Sequence, residues 1–541
     1  MTTLDFESKT KELIDALKGT CASYGLGNDG NEFKIITQVF LYKFMNDKFA
    51  YEVKKIDKKV KAAQKWDEFL SSYSGEAYEF LLLNLSEDTA RLKPHHFISY
   101  LFAKQNESDF GKLFDDTLRD IAILNNDIFS VSTDGGAKIR LFDELTQFIS
   151  DPSKRDAFAK ALINSLTNFS FEHIFSQKYD FYAAIFEYLI KDYNKDGGGK
   201  YAEYYTPHAV AKIMAAILVN KPDKNVTCYD PSAGSGTLLM NLAHAIGEKK
   251  CTIYSQDISQ KSSTMLRLNL ILNNLVHSIP NIIQGNTLLH PYHKDDKGNL
   301  AQFDYIVSNP PFKLDFIDFR NDIDTKENHK RFFAGIPNIP KKAKDKMAIY
   351  LLFVQHIIFS LSKKGKAAVV VPTGFITAQS GIDKKIRQHL VDNKMLAGVV
   401  SMPSNIFATT GTNVSILFID KTNKGPIVLM DASKLGTTIK VDKNQKTVLS
   451  GEEENKIIST FNNKKPIDDF SVVVSYDNIK SKNYSLSAGQ YFDVKIEYLD
   501  ITKGEFEEKM KQFKNNLSSL FVTSRKLETK VKKKLGGLKY E

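Results

Sequence analysis

Three stretches of this 541-residue chain hold side chains whose types and spacing could do chemistry. The first is Asn309-Pro310-Pro311-Phe312. Consecutive prolines hold φ near about −65° and remove backbone donors, so this loop is stiff and leaves carbonyl oxygens unpaired. Asn309 adds an amide oxygen that accepts, and Phe312 adds a flat apolar face. A planar amine donating to the Asn309 oxygen and the Pro310 carbonyl gains electron density on nitrogen, and a ring stacked on Phe312 is held in line for attack. Taken alone, the same four residues also suit an ordinary turn after a core strand. The second stretch is Asp230-Pro231-Ser232-Ala233-Gly234-Ser235-Gly236-Thr237, whose glycines let a ligand approach the backbone, although it lacks the full Gly-x-Gly-x-x-Gly and the P-loop lysine. The third is Asp257, roughly twenty residues beyond that turn, where a carboxylate can take both hydroxyls of a ribose. A nucleoside ligand without a pyrophosphate fits S-adenosyl-L-methionine, with Asp230 near its amino-acid portion and Asp257 on the ribose.

Such groups must be held by a sheet. Val226 to Asp230, Cys251 to Gln256 and Phe303 to Ser308 are short apolar runs that read as buried strands, each ending at one of these stretches. Helices Thr237 to Leu242 and Ser259 to Leu275 and a short strand at Ile282-Ile283 alternate with them, as a doubly wound α/β sheet requires. Further on come an apolar helix from Met347 to Ser362, a strand from Lys366 to Pro372, and two strands, Leu396 to Met402 and Val414 to Ile419. Phe407, in the turn between the last two, could flank a substrate ring or simply pack in a hairpin. The long polar and basic stretch Lys313 to Lys346 reads as an ordering element or as a mobile loop.

On the motif residues the chain resembles an N6-adenine DNA methyltransferase, in particular the methylation (M) subunit of type I restriction-modification systems. Asn309-Pro310-Pro311-Phe312 matches that family's catalytic motif, which implies catalytic roles for all four residues. Ala202-Glu203-Tyr204-Tyr205-Thr206-Pro207, lying ahead of the glycine turn, resembles its cofactor-binding motif with Ala202 where Gly is usual, an order similar to the gamma arrangement. Gly285-Asn286-Thr287-Leu288 is similar to a segment that often carries Asp at its second position and contacts the cofactor's adenine. The resemblance therefore implies a cofactor site built from Glu203, Tyr204, Tyr205, Thr206, Pro207, Asp230, Ser232, Gly234, Ser235, Gly236, Thr237, Asp257, Asn286, Thr287 and Leu288. It implies methyl transfer to N6 of an adenine flipped out of double-stranded DNA, with no metal. It also implies a specificity (S) subunit that reads the bases, a restriction (R) subunit, and two M subunits per specificity subunit.

The remainder of the chain sets limits. A formal net charge of +10 is compatible with a phosphate-backbone partner. No apolar run is long enough for a membrane span and no secretion signal is evident, so a cytoplasmic location is expected. Cys21, Cys228 and Cys251 fall singly, which supports neither a disulfide framework nor a zinc site. No helicase-type phosphate loop is present, so translocation and cleavage would belong to another subunit.

The expected architecture is a Rossmann-like methyltransferase sheet at 171–425, preceded by an all-helical domain at 1–170. A short-strand extension at 426–500 and a helical tail at 501–541 follow. In the first region Phe33, Ile36, Phe40 and Phe44 place an apolar stripe on one helix, and Lys54, Lys55, Lys58, Lys59 and Lys61 form a basic face. Asp134-Gly135-Gly136 marks a loop, and a helix over 181–190 leads to a glycine turn at 196–199. In the tail Phe506, Met510, Phe513, Leu517, Leu520, Leu527 and Val531 make a heptad seam that asks for a partner. Two other readings stand beside the DNA methyltransferase: a protein glutamine N5-methyltransferase, and a DNA-clamping scaffold without catalysis.

Overall fold

The apolar runs that end at the three stretches are adjacent strands of one sheet. The computed structural model describes residues 3–27, 30–175, 206–220, 224–407, 413–441, 444–492 and 502–536. In chain order its strands are β1 (Val131–Thr133), β2 (Lys138–Ile139), β3 (Val226–Asp230), β4 (Cys251–Asp257), β5 (Ile282–Gln284), β6 (Phe303–Ser308), β7 (Leu361–Pro372), β8 (Leu396–Ser401), β9 (Val414–Asp420), β10 (Ile427–Asp431), β11 (Thr437–Val441), β12 (Asn444–Val448) and β13 (Ser471–Val474). Across the main sheet the order is β13-β10-β8-β9-β7-β6-β3-β4-β5-β1-β2, while β11 and β12 form a separate two-stranded ribbon. The strands from β7 through β6, β3, β4 and β5 to β1 run parallel, and β9 lies antiparallel to both β7 and β8. This is the doubly wound sheet expected, and the two strands read at Leu396 to Met402 and Val414 to Ile419 pair antiparallel within it as β8 and β9. From β3 the chain winds outward through β4 and β5, then crosses back to place β6 on the other side of β3. The crevice between β3 and β6 is therefore the topological switch point, where open α/β sheets bind ligands beyond their carboxyl ends.

The amino-terminal region is helical over most of its length, but it adds a hairpin to the sheet. β1 pairs parallel with β5, and Asp134-Gly135-Gly136 is the turn into β2. Those strands span only three and two residues, too short for a period-two pattern to show in the sequence. The helix Gly30–Ile56 departs from the single stripe in another way. Phe33, Ile36, Phe40 and Phe44 are buried, and so are Lys43, Asp47 and Lys48 on and beside the same stripe. Burial of those charges is tolerated because each is paired: Lys43 lies 3.0 Å from Asp47, Asp47 accepts from the Phe171 amide at 2.9 Å, and Lys48 reaches Asp88 at 2.7 Å. The described part of 426–500 supplies β10 and β13 to the main sheet and the helix Gly451–Asn462, whose first turn is closed by a Ser450/Glu453 capping box.

Residues 1–491 form one compact unit and 492–541 a second, in which the helix Lys503–Gly536 bears the heptad seam. Among the described residues no helix is long and apolar enough to cross a membrane, and the three cysteines are buried and free.

One buried arginine fastens the hairpin to the sheet. Arg267, on the helix Gln260–Leu272, donates to the carbonyls of Ile139 and Arg140 at 3.0 Å each and to that of Phe129 at 3.4 Å. Replacing it by methionine keeps the bulk and strands those acceptors. Arg267→Met is expected to lower unfolding stability by about 3 kcal/mol, read from urea denaturation; a loss below about 1 kcal/mol would show that the carbonyls find other donors.

Candidate active site

The loop after β3 folds around its own aspartate. Asp230 Oδ1 accepts from the Ser232 amide at 2.9 Å and from the Ser232 hydroxyl at 3.4 Å. Gly234 and Gly236 take φ of +53° and +87°, a region that other residues rarely enter. The Gly234 amide donates to Asp257 Oδ2 at 2.9 Å, and the other Asp257 oxygen accepts from the Ser259 amide at 2.8 Å. At Gly236 the bare α-carbon serves packing, because a Cβ there would strike the Leu266 side chain of the neighbouring helix. Ser235 and Thr237 face each other through their hydroxyls at 3.1 Å, at the start of the helix Thr237–Ile246.

The segment after β5 closes the far side of this loop. Thr287 donates its hydroxyl to the Pro231 carbonyl at 2.7 Å, joining the two turns. The Asn286 amide oxygen accepts from the Leu288 and Leu289 amides at 3.1 and 3.2 Å, so it holds its own turn. The Asn286 amide nitrogen takes no part in those bonds, which gives this position a donor to offer a ligand. Leu288 is buried in a small core with Phe316, Ile323, Phe332, Met347 and Leu352. That core orders much of 313–346, the stretch whose polar composition left its state open. From it Arg331, 2% exposed, donates to the carbonyls of Leu288 at 2.5 Å and Thr287 at 3.4 Å. Burial brings its guanidinium pKa down to about 10, still cationic at neutral pH.

Across the switch point stands the second loop. The hydroxyls of Ser232 and Ser308 lie 2.7 Å apart, so the turn after β3 and the end of β6 meet directly. Asn309 follows, donating its amide nitrogen to the buried Thr206 hydroxyl at 3.1 Å, an orientation that reserves the amide oxygen for another donor. Pro310 is buried, and Pro311 and Phe312 are half-buried. The Phe312 ring is held edge to face by Tyr350 at 6.2 Å, and Tyr350 in turn meets Phe375 at 6.2 Å and donates its hydroxyl to Asp383 at 2.5 Å. Burial, with Asp383 adding to it, pushes the Tyr350 phenol well up, so it stays a neutral donor.

The structure thus gathers Thr206, Asp230, Ser232, Gly234, Asp257, Thr287 and Asn309 to Phe312 along one sheet edge. Glu203, Tyr204 and Tyr205, with the helix over 181–190 and the glycine turn at 196–199, lie outside the described residues. Phe407 is buried in the main core, the packing alternative. Neither Arg331 nor Tyr350 is marked as a site residue by the sequence alone. Arg331 sits in a stretch whose composition marks only polarity, and Tyr350 opens an apolar helix that reads as scaffold.

The fit of a cofactor rests on the Asp230 carboxyl. Burial, with Asp257 as a like charge, pushes it up to about 8, and among the described residues no cation pairs with it. An ammonium group delivered by a ligand would supply the missing charge, as the α-amino group of S-adenosylmethionine does. Burial raises Asp257 as well. Among the described residues the one group arranged as metal ligands is His95, His96 and Asp120. There the Lys93 amide donates to His96 Nδ1 at 3.1 Å, which puts the ring proton on Nε2, facing Asp120 at 3.3 Å. A nitrogen that carries its proton is not a metal ligand.

Comparison with known proteins agrees with this geometry. Residues 177–498 match the family described as N-6 DNA Methylase. The chain is 27% identical over 549 residues to the type I restriction enzyme MpnII methylase subunit of Mycoplasma pneumoniae, an alignment covering 97% of this chain and 95% of that protein. Its fold is similar to the type I restriction-modification system methyltransferase subunit from Streptococcus thermophilus, with a TM-score of 0.69 at 19% identity, covering 91% of this chain and 100% of that one. A second solved structure, from work on complex assembly and conformational transition of the type I system, covers 98% of this chain and 99% of its own, with a TM-score of 0.54 at 15% identity.

Between pH 4 and 8 Asp230 is protonated in the fold and ionised in the unfolded chain, so it binds more protons when folded and stability falls as pH rises through that window. Asp230→Asn should flatten this fall, seen in denaturation midpoints at pH 5 and 8; an unchanged slope would refute a buried, raised carboxyl. Arg331→Met should cost about 2 kcal/mol by stranding the Thr287 and Leu288 carbonyls, measured in the same way.

Proposed function

The chain belongs to the N-6 DNA methylase family, and from that premise we propose that it is the modification subunit of a type I restriction-modification system. In this reading it transfers a methyl group from S-adenosylmethionine to N6 of an adenine turned out of double-stranded DNA. A separate specificity subunit selects the site, and a restriction subunit completes the assembly. The observation that carries the proposal is the meeting of the Asp230 and Asn309 loops through Ser232 and Ser308 at the switch point.

Bound S-adenosylmethionine supplies an electrophilic methyl on a sulfonium. Asp230 would hold its amino group, Asp257 its ribose, and the Asn286 segment its adenine. The residues of the other loop act on the amine. The Asn309 oxygen, freed by the bond from its amide nitrogen to Thr206, accepts one N–H, and the Pro310 carbonyl accepts the other. Both acceptors push electron density onto N6 and fix its lone pair in line with the methyl. Phe312, locked edge-on by Tyr350, stacks on the purine and replaces part of the stacking lost when the base leaves the duplex, a step costing a few kcal/mol.

Neither alternative gains from the structure. Family membership favours DNA over a protein glutamine substrate, and an intact constellation of Asp230, Asp257 and Asn309 speaks against a scaffold that has lost catalysis. The helix Lys503–Gly536, taken by itself, has the seam of a coiled-coil partner, which suits subunit association.

Tritiated methyl transfer to DNA lacking prior methylation, with the chain alone and with its specificity subunit, tests the reading. Label at adenine N6 that requires the partner is expected, with Asn309→Ala reducing the rate by about 10²-fold or more. Label on protein instead of DNA would overturn it.

A further inference from the structure

We infer that Asp134, on the hairpin supplied by the amino-terminal region, is a further cofactor-binding residue whose carboxylate accepts the exocyclic amine of the cofactor's adenine. The inference rests on the cofactor assignment above and adds to it the group that reads the base.

The argument begins with register. β3, β4, β5 and β1 are consecutive parallel strands, with Asp230 beside Ser255, Asp257 beside Gln284, and Gln284 beside Thr133. Asp230, Asp257, Gly285 and Asp134 therefore stand in sequence along one carboxyl edge, four strand ends spanning about 14 Å at the usual strand spacing. A nucleoside joined to an amino acid lies along such an edge in extended form. With its ammonium at Asp230 and its ribose at Asp257, the base must fall over the ends of β5 and β1. Ile258, next to Asp257, is 67% exposed there, an apolar side chain available to lie against a ring.

At that point the Asn286 segment lacks an acceptor. A carboxylate at position 286 could hold the turn with one oxygen and accept an amine with the other. Asn286 spends its oxygen on the Leu288 and Leu289 amides and retains only a donor, suited to a ring nitrogen and not to an amine. The carboxylate comes from the neighbouring strand instead. The Asp134 amide donates to the Gln284 carbonyl at 2.9 Å, and its side chain lies across the α-carbon of Gly285, where a Cβ would fall 2.5 Å from the Asp134 Cγ. Glycine stands before Asn286 because this carboxylate occupies the space. Asp134 makes no hydrogen bond through its side chain among the described residues. The Nδ1 of the exposed His290 is 3.8 Å away, beyond hydrogen-bond reach, so the Asp134 oxygens remain available. Asn286 and Asp134 together present one donor and one acceptor to the ring nitrogen and amine of an adenine edge.

Calorimetric titration of the full chain with S-adenosylhomocysteine, and with the same compound carrying hypoxanthine in place of adenine, tests this. Hypoxanthine presents a carbonyl where adenine presents the amine. The wild type should prefer the adenine compound by about tenfold or more. Asp134→Asn should bind it about tenfold more weakly and lose or reverse the preference, with its unliganded melting temperature unchanged. Adding Asn286→Asp should restore both. If Asp134→Asn binds the two compounds as the wild type does, Asp134 is no ligand. A wild type that binds neither compound would instead overturn the cofactor assignment itself.

Discussion

A hydroxyl pair 2.7 Å apart, Ser232 against Ser308, fixes the distance between the two halves of this site. It exists because the chain leaves β3 in one direction and returns to its other side as β6, so that two loops distant in sequence end at adjacent strand tips. One loop carries a buried carboxylate and left-handed glycines; the other carries an amide and prolines that cannot donate. Neither is sufficient alone. In the proposed transfer, the spacing of methyl donor and amine would be set by the sheet before either arrives.

The polar groups here are treated in opposite ways in different parts of the molecule. In the helix Gly30–Ile56 the buried Lys43, Asp47 and Lys48 each have an internal partner, and the interior tolerates them. At the site, Asp230 is buried with the Ser232 amide and the hydroxyls of Ser232 and Ser308 as neutral partners and no cation among the described residues, so the fold keeps it protonated where an ordinary carboxylate would ionise. The protein gives up stability at that position and holds an acid whose ionised form a ligand's ammonium would complete.

How much of this was legible in the sequence follows range in the chain. Asn309 to Phe312, the glycine turn and Asp257 are local features at the ends of apolar runs, and the doubly wound character of the sheet is legible from the alternation of those runs with helices; the order of its strands is not. What escaped notice depends on contacts made far along the chain. Tyr350 matters because Phe312 lies beside it, and Arg331 because its stretch folds back over Thr287 and Leu288. That the missing Cβ of Gly236 also makes room for Leu266 depends on a helix one strand further along the chain. The helix Gly30–Ile56 showed one stripe, since no pattern of residue types reveals that its charges will be neutralised in pairs.

The β1–β5 pairing carries a further consequence, for how the protein can be divided. By composition, a cut near residue 170 separates a helical region from a sheet. By hydrogen bonding, it would strip β1 and β2 away and leave β5, with its buried Ile282 and Ile283, as a bare, short edge of the sheet. Unpaired edges of that kind recruit other chains. The amino-terminal hairpin thus covers an edge that would otherwise be open to strand addition, so the sheet is completed by residues that precede it in the chain.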